Sequence, residues 1–94
     1  MYFVYLLENK IDKSWYTGFT SDLKRRILEH NSQKGGRTTK LKRNWEIIYF
    51  GGYGNKLDAM GREKFLKSGS GKNYFKKQLK HYLTKNPLLK EKLG

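Results

Sequence analysis

The sequence predicts an α/β (α+β) domain in which a small, three-stranded and mainly antiparallel sheet is flanked by helices, in the order ββαβαα. Near the beginning of the chain, two short runs rich in aromatic and β-branched residues adjoin each other, and a segment with apolar residues at helical spacing follows them. A third run of the same kind then precedes two further helical segments. The alternation indicates a hairpin, a helix, a third strand and two final helices.

The first two predicted strands carry a tyrosine each. Residues 1–8 (MYFVYLLE) form one continuous apolar run, and residues 13–19 (KSWYTGF) form the second, with a turn between them. Tyr5 and Tyr16 are therefore expected on adjacent strands of one sheet. The alternative for both is an ordinary place in the core, where strand aromatics are common.

The first predicted helix covers the run LKRRILEHN, residues 23–31, after the capping candidates in residues 20–22 (TSD). Four of its side chains share one face at the spacing of a buried stripe: Leu23, Arg26, Ile27 and His30. Two of the four are polar, which is unusual for such a stripe. Taken singly, Arg26 can extend along the edge of the stripe and His30 can be a hydrogen-bonded boundary residue.

The second predicted helix, residues 55–67, repeats this pattern with an acid. Its expected apolar stripe consists of Leu57, Met60 and Leu66. Glu63 occupies the position between the last two, so that a carboxylate is expected to point toward the core. The alternative is a surface ion pair with Lys67, which stabilises a helix by only about 0.3–0.5 kcal/mol and has no function.

The remaining segments complete the predicted order. Residues 45–50 (WEIIYF) form the third strand, which the two glycines at 51–52 are expected to end. Residues 68–71 (SGSG) have the composition of a helix C-terminal turn. The third helix is expected over residues 73–84, and residues 85–94 are expected to be a basic tail. The candidate packing residues of the third helix are Tyr74, Phe75, Leu79, Tyr82 and Leu83.

Size and composition exclude several classes of protein. With 94 residues, the chain is expected to form one domain, residues 1–84, and to bury about 60–65% of its unfolded surface. Cysteine is absent, which excludes disulfides and thiolate metal sites. No apolar run approaches the length of a transmembrane helix, and no signal-peptide pattern is present. A cytoplasmic location is expected, with association to the nucleoid if the source is bacterial.

The charge predicts a polyanionic partner. The formal net charge is +13, and the 21 lysines and arginines are spread through every segment. The Gly-rich basic stretch at residues 32–40 is expected either to follow a phosphate backbone, with Arg37 and Lys40 as substrate-binding candidates, or to be an ordinary surface connection. A membrane surface is not an expected partner. The oligomeric state stays open between a monomer and a weak dimer.

Taken together, these residues resemble the GIY-YIG nuclease superfamily, and most closely its small stand-alone members. Residues 3–5 (FVY) and 16–18 (YTG) take the places of the two motifs after which the family is named. Arg26 and His30 fall on the helix that follows the second motif, and Glu63 falls on the position of the family's metal-binding glutamate. The resemblance spans roughly residues 2–80 and is specific because the motifs and the elements between them occur in order.

The chain departs from the family pattern at three places. Phe3 replaces the usual first glycine and Thr17 the usual central isoleucine, while both tyrosines and Gly18 are retained. The asparagine that many members carry late in the domain has no secure counterpart, although Asn73 is a candidate. That part of the site is therefore unassigned.

The resemblance implies a metal-dependent endonuclease that hydrolyses phosphodiester bonds of nucleic acid. It favours DNA over RNA, a structure-selective substrate, and a role in repair or recombination. One divalent cation, Mg²⁺ or Mn²⁺, would be held by Glu63. The alternatives are a catalytically silent nucleic-acid-binding module of the same fold and a basic protein that binds ribosomes or another partner.

The remaining site residues have expected roles in the same reaction. Arg26 offers a planar fork for phosphate oxygens, and Tyr5 or Tyr16 would orient or deprotonate the attacking water. His30 would hold a tyrosine hydroxyl or transfer a proton. Gly18 would permit close approach of the backbone and is a substrate-binding candidate.

Overall fold

A computed structural model describes residues 1–32 and 43–85 of the chain. These residues form three strands and four helices: β1 (Tyr2–Asn9), β2 (Trp15–Thr20), α1 (Leu23–Asn31), β3 (Trp45–Tyr53), α2 (Lys56–Leu66), α3 (Gly69–Gln78) and α4 (Lys80–Lys85). The chain divides into two compact units. Met1–Glu63 contains the sheet and α1, and Lys64–Gly94 contains α3 and α4. One domain over residues 1–84 with a basic tail stays a prediction.

The sheet confirms the predicted fold class. Its strand order is β2-β1-β3, and both pairings are antiparallel. The central strand β1 is the most deeply buried because it is paired on both sides, and its apolar residues Val4, Leu6 and Leu7 are inaccessible to solvent. The order ββαβαα is also confirmed, with the last predicted helix divided into α3 and α4.

The glycines at 51–52 do not end the third strand, which continues to Tyr53. Gly51 pairs with Val4 and Gly52 with Phe3, so the backbone ladder runs through both. The side chains of neighbouring residues occupy the space above each glycine, and a Cβ at Gly52 would lie 2.7 Å from the Met1 sulfur. The two glycines therefore provide space within the strand and do not interrupt it.

Helix α1 confirms the predicted bounds and the predicted face. Asp22 caps the helix by accepting a hydrogen bond from the Arg25 backbone N–H at 3.2 Å. Leu23, Arg26 and Ile27 are partly buried and His30 is completely buried. At its end, the Asn31 side chain accepts from the Trp45 backbone N–H at 2.7 Å and donates to the Trp45 carbonyl at 3.1 Å. These two hydrogen bonds join the end of α1 to the beginning of β3.

The predicted apolar stripe of α2 is wrong in two of its three members. Asn55 accepts a hydrogen bond from the Leu57 backbone N–H at 2.8 Å and so begins the helix one residue later than predicted. Leu57 is 74% exposed and Met60 is also exposed. The buried apolar residues of α2 are instead Ala59 and Leu66. The predicted stripe missed Ala59 because it was drawn through larger apolar residues. Glu63, partly buried, lies between Ala59 and Leu66.

The second unit corrects the predicted turn at residues 68–71. Helix α3 begins at Gly69, with Ser68 as its N-cap residue, and the backbone of Gly71 lies close against the end of α2. A Cβ at Gly71 would lie 2.7 Å from the Cα of Leu66, so only glycine fits there. Leu79 adopts a non-helical backbone and separates α3 from α4. Among the helices of residues 1–32 and 43–85, none has the length and apolar character needed to span a membrane.

Candidate active site

One face of the sheet and the inner face of α1 enclose the candidate site. Tyr5 lies opposite Gly18 on β2 and Phe50 on β3, and Leu7 lies opposite Tyr16. Because paired residues of antiparallel strands point to the same side, all of these positions share one face. The apolar part of that face is formed by Tyr5, Leu7 and Trp45, with Tyr16, Leu23, Ile27 and Ile47 packed against them.

A buried hydrogen bond connects the sheet to α1 at this face. The Tyr5 hydroxyl lies 2.9 Å from His30 Nε2, and the two residues are 1% and 0% exposed. Burial, followed by the positive charge of Arg26, lowers the pKa of His30 to about 4, so its imidazole is neutral at pH 7. Burial raises the pKa of Tyr5 to about 12, which keeps its proton in place. The neutral phenol therefore donates to the neutral imidazole, whose own proton is assigned to Nδ1.

Arg26 is hydrogen-bonded on two sides. Its Nη1 donates to Glu29 Oε1 at 3.2 Å, and a further side-chain hydrogen bond joins the guanidinium to Tyr5. Burial lowers the pKa of Arg26, but the bonds to Tyr5 and Glu29 outweigh burial and raise the pKa above its ordinary value. A permanent positive charge thus lies beside the Tyr5 hydroxyl and leaves part of its fork accessible.

Tyr16 forms the outer edge of the same cluster. Its ring centroid lies 5.0 Å from that of His30 at an interplanar angle of 60°, and 6.4 Å from that of Trp45. Unlike Tyr5, it is partly exposed. Both tyrosines therefore contact the His30 ring, Tyr5 as a buried residue and Tyr16 as a partly exposed one.

Gly18 has a packing reason to lack a side chain. A Cβ at this position would lie 2.9 Å from Cε2 of Tyr5 and still closer to Cζ and the hydroxyl oxygen. The ring of Tyr5 therefore leans across β2 at Gly18. Substrate binding by Gly18 stays a prediction, as does that by Arg37 and Lys40, which lie outside the described residues.

Glu63 belongs to the electrostatic surroundings of this cluster. Burial raises the pKa of Tyr5 most, and the negative charge of Glu63 adds to the increase. No group of three or more acidic or histidine side chains suited to a metal occurs within residues 1–32 and 43–85. Glu63 is thus a single carboxylate ligand candidate, and a hydrated Mg²⁺ needs only one or two carboxylates.

Sequence reasoning missed one member of the site. Glu29, partly buried, pairs with Arg26 and also raises the pKa of His30, against the lowering effects of burial and of Arg26. The signal was present, because Glu29 stands three residues after Arg26 and can reach it on a helix. It was obscured by the expectation that the partner of Arg26 would be a phosphate.

The sequence of the chain matches a known protein family. The model of the GIY-YIG catalytic domain matches residues 1–80, and so covers all the residues brought together above. The chain belongs to the GIY-YIG family. The expected resemblance is confirmed, including the similarity to small relatives.

The GIY-YIG relatives are bacterial proteins of similar size. The UPF0213 protein YazA of Bacillus subtilis is 39% identical over 70% of this chain and 66% of its own length. The UPF0213 protein YsiG of Lactococcus lactis is 40% identical over 97% of this chain and 82% of its own length. A solution NMR structure of a UPF0213 protein from Bacillus halodurans is 35% identical, with a TM-score of 0.47 and coverage of 95% of this chain and 92% of that one.

The match is partial for the first of these GIY-YIG relatives. It spans slightly less than two thirds of the Bacillus subtilis protein and 65% of a UPF0213 protein of Streptococcus pneumoniae. The names of these relatives state neither a reaction nor a substrate. Family membership is thus established, and the reaction is a matter for proposal.

Proposed function

We propose that this protein is a metal-dependent endonuclease that hydrolyses phosphodiester bonds of nucleic acid. DNA is the preferred substrate, selected by structure more than by sequence, in repair or recombination. The proposal rests on one observation above the others: the buried hydrogen bond from Tyr5 to His30, with the guanidinium of Arg26 beside it and the open ring of Tyr16 in front. Tyr5 and His30 are buried and Arg26 is partly buried, and burying such polar groups costs free energy that an apolar core avoids.

Tyr16 is the residue proposed to orient and deprotonate the attacking water. It is partly exposed, whereas Tyr5 is inaccessible and has a pKa of about 12. A phenol with an ordinary pKa of about 10 needs a nearby cation to act as a base near neutral pH. Arg26 supplies that charge, because it interacts electrostatically with Tyr16 as well as with Tyr5. Tyr5 and His30 then hold the arrangement and are positioning residues.

Arg26 is proposed to bind the scissile phosphate. Glu29 and Tyr5 each take one hydrogen bond of the guanidinium, so its other N–H groups are available for phosphate oxygens. A donor fixed by two hydrogen bonds before the substrate arrives needs little reorganisation during the reaction. The negative charge that develops on the phosphate is thereby stabilised in a partly dry environment.

Glu63 is proposed to hold the divalent cation, Mg²⁺ or Mn²⁺. Its carboxylate is partly buried, and its negative charge raises the pKa of Tyr5, which also interacts with Arg26. A cation held there would neutralise charge on the phosphate bound by Arg26. A bound cation supplies charge neutralisation at the phosphate and assistance to the departing oxygen. Oxygen ligands of this kind suit hard cations.

One assay tests the reaction and separates it from the two alternatives. Purified protein is incubated with single-stranded, double-stranded, nicked and branched DNA and with the corresponding RNA, in Mg²⁺, Mn²⁺ or EDTA. Cleavage in metal and none in EDTA is the expected result, with branched or interrupted DNA cut fastest. Binding to every substrate without cleavage in any metal would instead support the silent binding module. Absence of both, with retention on ribosomes, would support the third possibility.

A further inference from the structure

An exposed aromatic ring lies next to the most buried residue of the candidate site. Phe50 on β3 is directly opposite Tyr5 on β1, yet Phe50 is 55% exposed and Tyr5 only 1%. Residues paired in this way have Cα atoms about 5 Å apart. Among the other exposed apolar residues of the first unit, Ile11 and Leu28 belong to a turn and to an outward helix face, and Met1 precedes β1 with its sulfur against Gly52.

The packing explains why this ring is open. Tyr5 leans over Gly18 toward β2, on the side away from β3, so it does not cover Phe50. Phe3 supports Phe50 from the same face, with ring centroids 6.2 Å apart at an interplanar angle of 63°. Gly52, opposite Phe3, adds no side chain to that face. Phe3 and Phe50 together form what we name the aromatic platform.

We propose that the aromatic platform is a stacking subsite for one unpaired base of the nucleic acid, on the face of the sheet that carries Tyr5 and Tyr16. This inference rests on the proposed function. An aromatic side chain stacks on any base, and such stacking supports binding without reading sequence. A strongly basic chain brings the polyanion to the surface, and the platform shares its sheet face with Tyr5, which interacts with Arg26.

The chemistry of the Phe50 ring determines which kind of base the platform binds. Both faces of a base inside a duplex are covered by its neighbours, so Phe50 can stack only on a base that is unpaired or displaced. The platform therefore favours a substrate with at least one unpaired nucleotide. The platform thus gives a physical reason why the protein would select a nucleic acid by its structure and not by its sequence.

The test measures binding in EDTA, so that it does not depend on cleavage. The probe is a single-stranded oligodeoxynucleotide with 2-aminopurine placed at each position in turn, together with versions lacking the base at that position and the matching duplex. The variants are Phe50→Ala and Phe50→Trp. Leu28→Ala is the matched control, because Leu28 is 62% exposed and lies on an outward face of α1.

Phe50→Ala should weaken single-strand binding about tenfold or more, leave duplex binding unchanged, and abolish the fluorescence change of 2-aminopurine. Removal of the base at the responsive position should weaken the wild type equally and have no further effect on Phe50→Ala. Phe50→Trp should retain affinity and show quenching of its indole. Equal affinities for Phe50→Ala and Leu28→Ala, or equal losses for single strand and duplex, would overturn the subsite. Stacking without cleavage would remove the nuclease and retain the subsite, whereas cleavage with no effect at Phe50 would do the reverse.

Discussion

Helices α1 and α2 both present polar side chains on their inner faces, but they do so in different ways. In α1, all four residues of the predicted stripe are buried or partly buried, and the polar members are bonded to one another or to the sheet. In α2, Leu57 and Met60 face solvent, and Glu63 lies on an inner line whose apolar members are Ala59 and Leu66.

The difference teaches what a polar residue in an apolar stripe signifies. Within α1, Arg26 and His30 are part of the packing, so replacing either changes both the site and the structure around it. Within α2, Glu63 is partly buried on the inner line of the helix, between Ala59 and Leu66. We therefore expect α1 substitutions to affect chemistry and stability together and α2 substitutions to separate the two.

The largest expected effect is on α2. Glu63→Gln should abolish cleavage and leave folding and substrate affinity intact or slightly improved, because it removes a negative charge near the phosphate while keeping the shape of the side chain. Cleavage rates, binding isotherms and circular dichroism measure the three properties. Asp58→Asn, an exposed acid on the same helix, is the matched control and should cleave normally. Full activity of Glu63→Gln would exclude the metal assignment.

Arg26→Lys on α1 should lower the single-turnover cleavage rate roughly 10²-fold, because lysine keeps the charge and loses the planar fork. Bulk affinity should hardly change, since 21 basic residues contribute to it. Arg25→Lys is the control, because Arg25 is its exposed neighbour and makes only a distant ion pair with Asp22. If both variants cleave at the wild-type rate, Arg26 is part of the general electrostatic surface.

Gly18→Ala should destabilise the protein by about 1–3 kcal/mol, since the added methyl group overlaps the ring of Tyr5 and forces the ring to shift. Gly61→Ala in α2 is the opposite case. Nothing lies within 4 Å of a Cβ there, and alanine favours a helix interior, so stability should rise by about 0.5–1 kcal/mol. Denaturant unfolding of both variants provides the comparison. A neutral Gly18→Ala would show that Tyr5 has more freedom than its packing indicates.

Acid should weaken the bond between α1 and the sheet. His30 has a pKa of about 4 when folded and about 6.5 when unfolded, so the unfolded chain binds its proton first as the pH falls. The contribution of neutral His30 to the free energy of unfolding is complete above pH 7 and decreases below about pH 6.5. By pH 5 about 2 kcal/mol of it is lost. Unfolding free energies at both pH values should show this loss in the wild type and a smaller one in His30→Asn. Equal losses would mean that His30 is not the titrating group.

The smallest expected effect compares one apolar residue from each helix. Leu57→Ala should change the unfolding free energy by no more than about 0.5 kcal/mol, because that side chain is exposed. Ile27→Ala, which packs against the core of the site, should cost about 1–3 kcal/mol. Similar costs for the two would contradict the difference between the helices.

Prediction from sequence succeeded where local signals and burial agree. The strand pairing and α1 follow from a hairpin, a capping aspartate and a complete stripe, and the tyrosines, Arg26 and His30 come together accordingly. It failed for the apolar stripe of α2 and for residues 68–71, where the burial of Ala59 and the close approach of Gly71 decide the packing. Small residues carry no hydrophobic signal in a sequence, although they determine where backbones approach.

The clasp between Asn31 and Trp45 has a consequence for how this chain tolerates change. Asn31 bonds both backbone groups of Trp45, while Asn9 donates to the Arg43 carbonyl at 2.8 Å, so the end of α1 is fixed to the beginning of β3 and β1 to the residue two positions before β3. Substitutions that keep these bonds therefore leave the end of α1, and with it His30, in register with the sheet.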